Sequence, residues 1–278
     1  MGTLVFLDVD GTITNYENVV PDSAVAAIRA ARSNGHRVYM CTGRSKAENP
    51  QEIWDIGFDG MIGGNGCYAE SDGEVVFHQF ISLGQCRRIV DWLHGRGLEF
   101  YLESNNGLFA SEHFREAAGP VMRAYARGKG ATDEDACASA DAFCSSLIYG
   151  ADLYRADVNK VSFILSNHQD HVDSIAEFPD LVARTWGGKG EYALFGDLGV
   201  RGVDKARAIE RLVRYLGADM ADTVAVGDAK VDIPMFEVCA HSACVGSGGD
   251  EAKAAAEWVS TAVDDDGLWN AFVHFDLI

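Results

Sequence analysis

Short, wholly apolar runs alternate along this chain with longer stretches in which apolar residues return every three or four positions. Leu4-Val5-Phe6-Leu7 is such a run, the pattern of a parallel strand covered on both faces. Pro21-Asp22 then opens a stretch with Ala24, Ala27, Ile28 and Ala31 at helical spacing, and Gly35 stands where a helix C-terminus belongs. Arg37 to Cys41 predicts a second strand ending at Thr42-Gly43-Arg44, and Gly60 to Gly63 a third ending at Asn65-Gly66. This is β-α-β order, which directs the turns after the strands to one edge of a sheet.

From about Leu83 the texture changes. Cys86, Ile89, Val90 and Leu93 form a helical stripe, and Glu99–Glu103 and Leu108–Ser111 flank Asn105-Asn106-Gly107, a hairpin signal. A helix-rich stretch to about Ser146 follows, then a strand over Lys160–Leu165, a helix through Val172 and Ile175, and a strand near Leu181–Trp186. Alternating α/β order resumes after Gly188 with a helix over Lys205–Leu216, a strand over Thr223–Val226 and a helix through Phe236. The pattern predicts an α/β fold: a doubly wound, parallel, Rossmann-like core sheet (1–82 and 188–278) carrying an inserted α+β cap (83–187).

Composition narrows the partners. Lysine and arginine number 23 against 42 aspartate and glutamate, a formal net charge of -19. A nucleic-acid backbone calls for a basic face, so it is excluded as the expected partner. A small anionic substrate is not, because a few local cations suffice. At the N-terminus four apolar residues meet Asp8 and Asp10 at once, too short for a signal-peptide core, and no stretch approaches eighteen apolar residues, so no membrane partner is expected. Seven scattered cysteines without a CxxC pair predict reduced thiols and a cytoplasmic setting. Oligomeric state is not legible in the sequence.

The chemistry concentrates where strands end. Asp8-Val9-Asp10-Gly11-Thr12 follows the first strand directly. Strand alternation would put both carboxylates on one side. Two acids held together at the end of a buried strand repel each other, and a divalent cation relieves that; oxygen-only ligands suit Mg²⁺. An ordinary Asp-Gly turn is the plainer reading, and its position after a buried apolar strand weighs against it.

That segment resembles the first motif of the haloacid dehalogenase superfamily of phosphatases. Three more segments match in order: Thr42 in Cys41-Thr42-Gly43-Arg44, Lys205 in Gly202-Val203-Asp204-Lys205, and Asp228 and Asp232 in Gly227-Asp228-Ala229-Lys230-Val231-Asp232. The long insertion between the second and third, with Asn65-Gly66 before it, is similar to class IIB, the Cof-like hydrolases. The resemblance implies a Mg²⁺-dependent phosphatase acting on a small phosphorylated metabolite, sugar phosphates first, through an aspartyl-phosphate. It implies Asp8 as nucleophile and Asp10 as general acid and base. Asp8, Asp10 (by its backbone carbonyl) and Asp228 are implied as metal ligands, and Thr42, Gly43 and Lys205 as the phosphate cradle. Asp232 is implied to orient Lys205 or a metal-bound water, with Asn65 and Arg44 in support. A phosphomannomutase-like phosphotransferase and a metabolite-binding protein without turnover are the alternatives.

Taken singly, Thr42 reads as a strand-end hydroxyl, Lys205 as a solvated helix residue and Arg44 as a surface ion-pairing group. Four motifs in order on strand ends at one edge reverse that judgement. Gly64-Asn65-Gly66-Cys67-Tyr68-Ala69 has GxGxxA spacing but follows the third strand and has no acid some twenty residues on, so it is not read as a dinucleotide loop. His168 and His171 on a predicted helix lack a third ligand near in sequence. One departure stands out: Val231 occupies the position where Cof-like hydrolases usually carry Asn, removing a donor and an acceptor.

Overall fold

The computed structural model describes residues 2–15, 17–128, 131–187 and 192–278. The chain runs through β1 (Leu4–Leu7), α1 (Asp22–Ser33), β2 (Arg37–Cys41), α2 (Gln51–Trp54), β3 (Gly60–Gly63), β4 (Tyr68–Ser71) and β5 (Glu74–His78). Next come α3 (Leu83–Arg96), β6 (Phe100–Ser104), β7 (Gly107–Ala110), α4 (Phe114–Gly128), α5 (Asp133–Ser146) and β8 (Ile148–Tyr149). After these follow β9 (Val158–Ile164), α6 (His168–Glu177), β10 (Leu181–Trp186) and β11 (Phe195–Val200). The last part holds α7 (Lys205–Tyr215), β12 (Thr223–Gly227), α8 (Ile233–Val238), β13 (His241–Cys244), α9 (Asp250–Ala255), β14 (Trp258–Val259) and α10 (Gly267–His274).

Two compact units result. The first comprises 1–44, 49–78 and 203–278. Its eight-stranded sheet has the order β14-β13-β12-β1-β2-β3-β4-β5, parallel except where β4 and β5 add as an antiparallel hairpin. All four residues of β1 are buried, because this strand is central and helices cover both sheet faces. α1 buries the predicted Ala24, Ala27, Ile28 and Ala31, and Gly35 follows it at φ 91°. α7 buries Ala208, Ile209, Leu212 and Val213, which pack with Phe6, Tyr39 and Ala225 of the sheet.

The second unit comprises 45–48 and 79–202. Its six strands, in the order β10-β11-β9-β6-β7-β8, are antiparallel except for β7 against β8. A capping box between Ser82 and Gln85 starts α3, and Gly97 in the left-handed region ends it. The division differs from the expected one at both ends. β11 hydrogen-bonds to β9 and β10, which ties 195–200 to the cap sheet rather than to the core. The boundary expected at 188 falls on 188–191, outside the described residues. Ser45–Glu48 also goes with this unit, where Asn105 Oδ1 accepts from the Lys46 amide at 3.1 Å.

Candidate active site

The core sheet brings three chain segments to one edge. Leu7 is in register with Val226 on β12 and with Met40 on β2, so Asp8, Gly227-Asp228 and Cys41-Thr42 leave neighbouring strands together. The Asp8 amide still donates to Val226 O at 3.0 Å, fixing the nucleophile candidate against β12. Lys205 is the first residue of α7, whose N-terminus is capped by the Asp204 side chain accepting from the Arg207 amide at 2.8 Å. Gly66, at φ +100°, allows the turn after β3 to approach this point: a Cβ there would lie 2.2 Å from Asp204 O.

Lys205 is the hub. Its Nζ donates to Asp8 Oδ1 and to Asp232 Oδ1, each at 2.6 Å, with only 2% of its side chain exposed. The other Asp232 oxygen accepts from the Asp228 and Ala229 amides, both at 3.0 Å. Gly227 has to be small, because a Cβ would stand 2.6 Å from that oxygen. Thr12 Oγ1 donates to Asp228 Oδ1 at 3.3 Å.

Asp8, Asp228 and Asp232 each offer an oxygen within 4.8 Å of the others, and all three residues are buried. Among the described residues the Lys205 ammonium pairs with two of these carboxylates, so full ionisation of these four groups would leave them a formal charge of -2. Burial, then repulsion from Asp232, pushes the Asp8 carboxyl well above the usual carboxylate range; Lys205 opposes this, and Asp228 and Asp10 add to it. Burial alone would lower the Lys205 ammonium, but Asp232 and Asp8 outweigh it and hold the group above the usual lysine value. A compact, all-oxygen, over-acidic donor set suits a hard divalent cation.

Asp10 lies elsewhere. β1 ends at Leu7, so strand alternation does not extend to Asp10, and its side chain is outside the three-acid group, where Asp232 takes the third place. Its carboxylate is gripped by Arg44 through Nε–Oδ2 at 2.9 Å and Nη2–Oδ1 at 2.6 Å. Arg44 Nη2 also donates to Asn18 Oδ1 at 3.1 Å. Thr42, Gly43 and Asn65 sit together at the ends of β2 and β3. The Asn65 amide donates to Thr42 O at 3.2 Å, and the space beside the Gly43 Cα lies 3.0 Å from Asn65 Oδ1. Thr42 is buried, and its Oγ1 accepts from the Arg44 amide at 3.1 Å.

Val231 is 54% exposed, and Lys230 reaches outward to Glu251 at 3.0 Å. Neither supplies the contact that an Asn would bring. His168 and His171 do share a helix, with ring centroids 5.7 Å apart, and belong to no three-ligand group among the described residues. Thr12 and Asn18 were not singled out by sequence. Thr12 was visible as the last residue of the first motif, whereas nothing local marks Asn18.

Comparison with known proteins matches the chain from residue 5 to 272 to the haloacid dehalogenase-like hydrolase family. It is 22% identical over 289 residues to phosphatase YwpJ of Bacillus subtilis, covering 98% of this chain and 99% of that one. It is 24% identical over 277 residues to phosphoglycolate phosphatase of Thermoplasma volcanium, covering 99% of each. A solved sugar phosphatase of haloacid dehalogenase subclass IIB is similar in fold, with a TM-score of 0.76 at 22% identity, covering 99% of this chain and 100% of that one. With the four motif segments gathered at one sheet edge and the match running nearly end to end, the chain belongs to the haloacid dehalogenase-like hydrolases.

Proposed function

We propose that the protein is a Mg²⁺-dependent phosphatase that hydrolyses a small phosphorylated metabolite, a sugar phosphate foremost, through an aspartyl-phosphate on Asp8. The observation that carries this reading is the Lys205 ammonium held 2.6 Å from both Asp8 and Asp232, with Asp228 completing a buried three-acid group.

Asp8 attacks phosphorus with the oxygen that Lys205 does not hold, and the bond to the leaving oxygen breaks as the new one forms. Lys205, the Thr42 hydroxyl and the Gly43 amide take the phosphoryl oxygens and hold them in line. Asp10 protonates the leaving alkoxide, then accepts a proton from the water that attacks the aspartyl-phosphate, so that one carboxyl serves both half-reactions. Arg44 keeps Asp10 in one orientation, and Asp232 does the same for Lys205. Asp8, Asp228 and the Asp10 backbone carbonyl would hold a divalent ion, which would supply the positive charge that lets an anionic carboxylate approach an anionic phosphate. Val231, turned to solvent, has no part in these steps.

The second unit selects the leaving group in this reading. The net charge of -19 supports a small-molecule substrate over nucleic acid, no helix among the described residues is long and apolar enough to cross a membrane, and seven scattered cysteines without a CxxC pair support a cytoplasmic setting. The test is a panel of phosphorylated metabolites assayed for inorganic phosphate with Mg²⁺ and with EDTA, using the natural protein and Asp8→Asn. Release by the natural protein with Mg²⁺ alone is expected. Phosphoryl transfer to a second sugar without free phosphate would instead identify a phosphotransferase, and no turnover of any ester a binding protein.

A further inference from the structure

The parallel strands of the core unit have a second edge, away from Asp8. Thr3, His36 and Asp59 stand immediately before β1, β2 and β3, whereas Asp8 and Thr42 follow β1 and β2. At the edge where the strands begin lies a cavity of about 490 Å³, lined by Arg29, Arg32 and Ser33 of α1 together with His36 and Asp59. It belongs wholly to the core unit and shares no residue with the three-acid site.

The acid of this cavity is already committed. Asp59 accepts from Arg32 through Nε–Oδ2 at 3.0 Å and Nη2–Oδ1 at 2.9 Å, and its Oδ2 also takes the Val38 amide at 2.8 Å. Gly57, at φ +103°, leaves room for that guanidinium: Arg32 Nη1 is 3.0 Å from where a Gly57 Cβ would be. Arg29 is held differently. Its Nε and Nη2 each donate at 3.1 Å to a carbonyl, those of Ile56 and Asp55, so its charge meets no carboxylate among the described residues. Ser33 Oγ donates to Arg29 O at 2.9 Å, and the Asn34, Gly35 and His36 amides take the carbonyls of Ala30, Ala31 and Arg32. The helix-end carbonyls that would repel an anion are thereby occupied.

His36 completes the wall as a donor. The Thr3 amide donates to its Nδ1 at 3.0 Å, which puts the ring proton on Nε2. Burial pushes the His36 pKa below the usual histidine value and so favours this neutral form. The donors left over are Arg29 Nη1, Arg32 Nη1 and His36 Nε2, against the lone pairs of one hydroxyl, Ser33. A cation finds no uncommitted carboxylate here, and an apolar group would strand the donors. A carboxylate presents two oxygens to them and a phosphate group three. Cavities of roughly 300–1,000 Å³ hold small organic ligands, so this one has room for more than a bare phosphate. We propose that the cavity is an accessory binding site for a phosphorylated small molecule, whose phosphate group is held by Arg29, Arg32 and His36. The ligand would sit at the sheet edge opposite Asp8, and the site does not depend on how Asp8 is read.

The experiment uses the full chain in EDTA, with inorganic phosphate as the probe. The readout is the ¹H–¹⁵N NMR signal of the His36 ring, assigned by its loss in His36→Gln. Phosphate is expected to shift this signal saturably, and sodium chloride of equal ionic strength is expected to leave it in place. Arg29→Met and Ser33→Asp should each raise the apparent Kd about tenfold or more, the first by removing the unmatched charge and the second by putting a carboxylate on the wall. Thermal melts establish folding. Arg29→Met also releases the Ile56 and Asp55 carbonyls, so should it fail to fold, Ser33→Asp, at an exposed position, carries the comparison. No saturable shift, an equal shift with chloride, or an unchanged Kd in the folded variants overturns the proposal; in the last case phosphate acts on His36 from the Asp8 edge. Acetate binding as tightly as phosphate overturns the assignment to a phosphate group. Because the readout is binding rather than turnover, failure of the phosphatase reading leaves the site standing.

Discussion

Replacing Lys205 by Met tests the electrostatics of the core site without touching an acid. The side chain is of similar length, so the change removes charge rather than volume. Two hydrogen bonds of 2.6 Å disappear, to Asp8 and to Asp232, and both carboxylates stay buried. Breaking a buried ion pair from one side costs about 3–5 kcal/mol. Asp8 already holds its proton more tightly than an ordinary carboxyl, and taking one up offsets part of this loss, which favours the lower figure of about 3 kcal/mol. At roughly 2–4 °C per kcal/mol for a domain of this size, the melting temperature in EDTA should drop by about 6–12 °C. A saturating divalent cation, at about 100 times its Kd, restores about 2.7 kcal/mol and so most of the drop. The assay is a calorimetric melt of both proteins in EDTA and in Mg²⁺. If Lys205→Met melts within about 2 °C of the natural protein in EDTA, the site is not the charge-strained cluster described above.

Asp8→Asn should abolish phosphate release and, in EDTA, should stabilise the protein at pH 8 but not at pH 4. The folded pKa of Asp8 is raised above its unfolded value, so its contribution is fully present below the unfolded pKa and is lost as pH rises through the folded one; equal melting differences at both pH values would contradict this. Arg44→Ala should lower kcat about tenfold or more while KM changes little, because Asp10 loses both bonds that orient it. Arg44→Lys should recover only part of that, since an ammonium cannot form the two-pronged contact; full kcat in Arg44→Ala would show that the grip is idle. Val231→Asn should alter kcat/KM by less than about threefold, below the effect of one neutral hydrogen bond, because the position faces solvent; a protein inert until this change is made would be a binding protein.

The elements that place the site were legible because they are the most strongly patterned. β1, α1, β2, β3, α7 and β12 all appear where apolar runs and helical stripes put them, and the four motifs lie at their ends. Two kinds of feature were not legible. β4–β5 and β11 take their sheet membership from long-range hydrogen bonds, which no local period reports. In β11 the glycines at 196 and 199 interrupt the alternation that would have marked a strand. Within the site, the position of Asp10 depends on where β1 stops and on Arg44, 34 residues away, rather than on the spacing of the two acids. The Thr12 link to Asp228 spans 216 residues and emerges only from the pairing of β1 with β12.

The central claim is that Asp8 becomes phosphorylated during turnover. The most direct measurement is rapid acid quenching of the working enzyme with its best substrate and Mg²⁺, followed by peptide mass mapping. A phosphate on the peptide containing Asp8, appearing before free phosphate and absent in EDTA, is the predicted result. Turnover at full rate with that peptide never modified at any quench time, or with the phosphate found on another residue, would contradict the account.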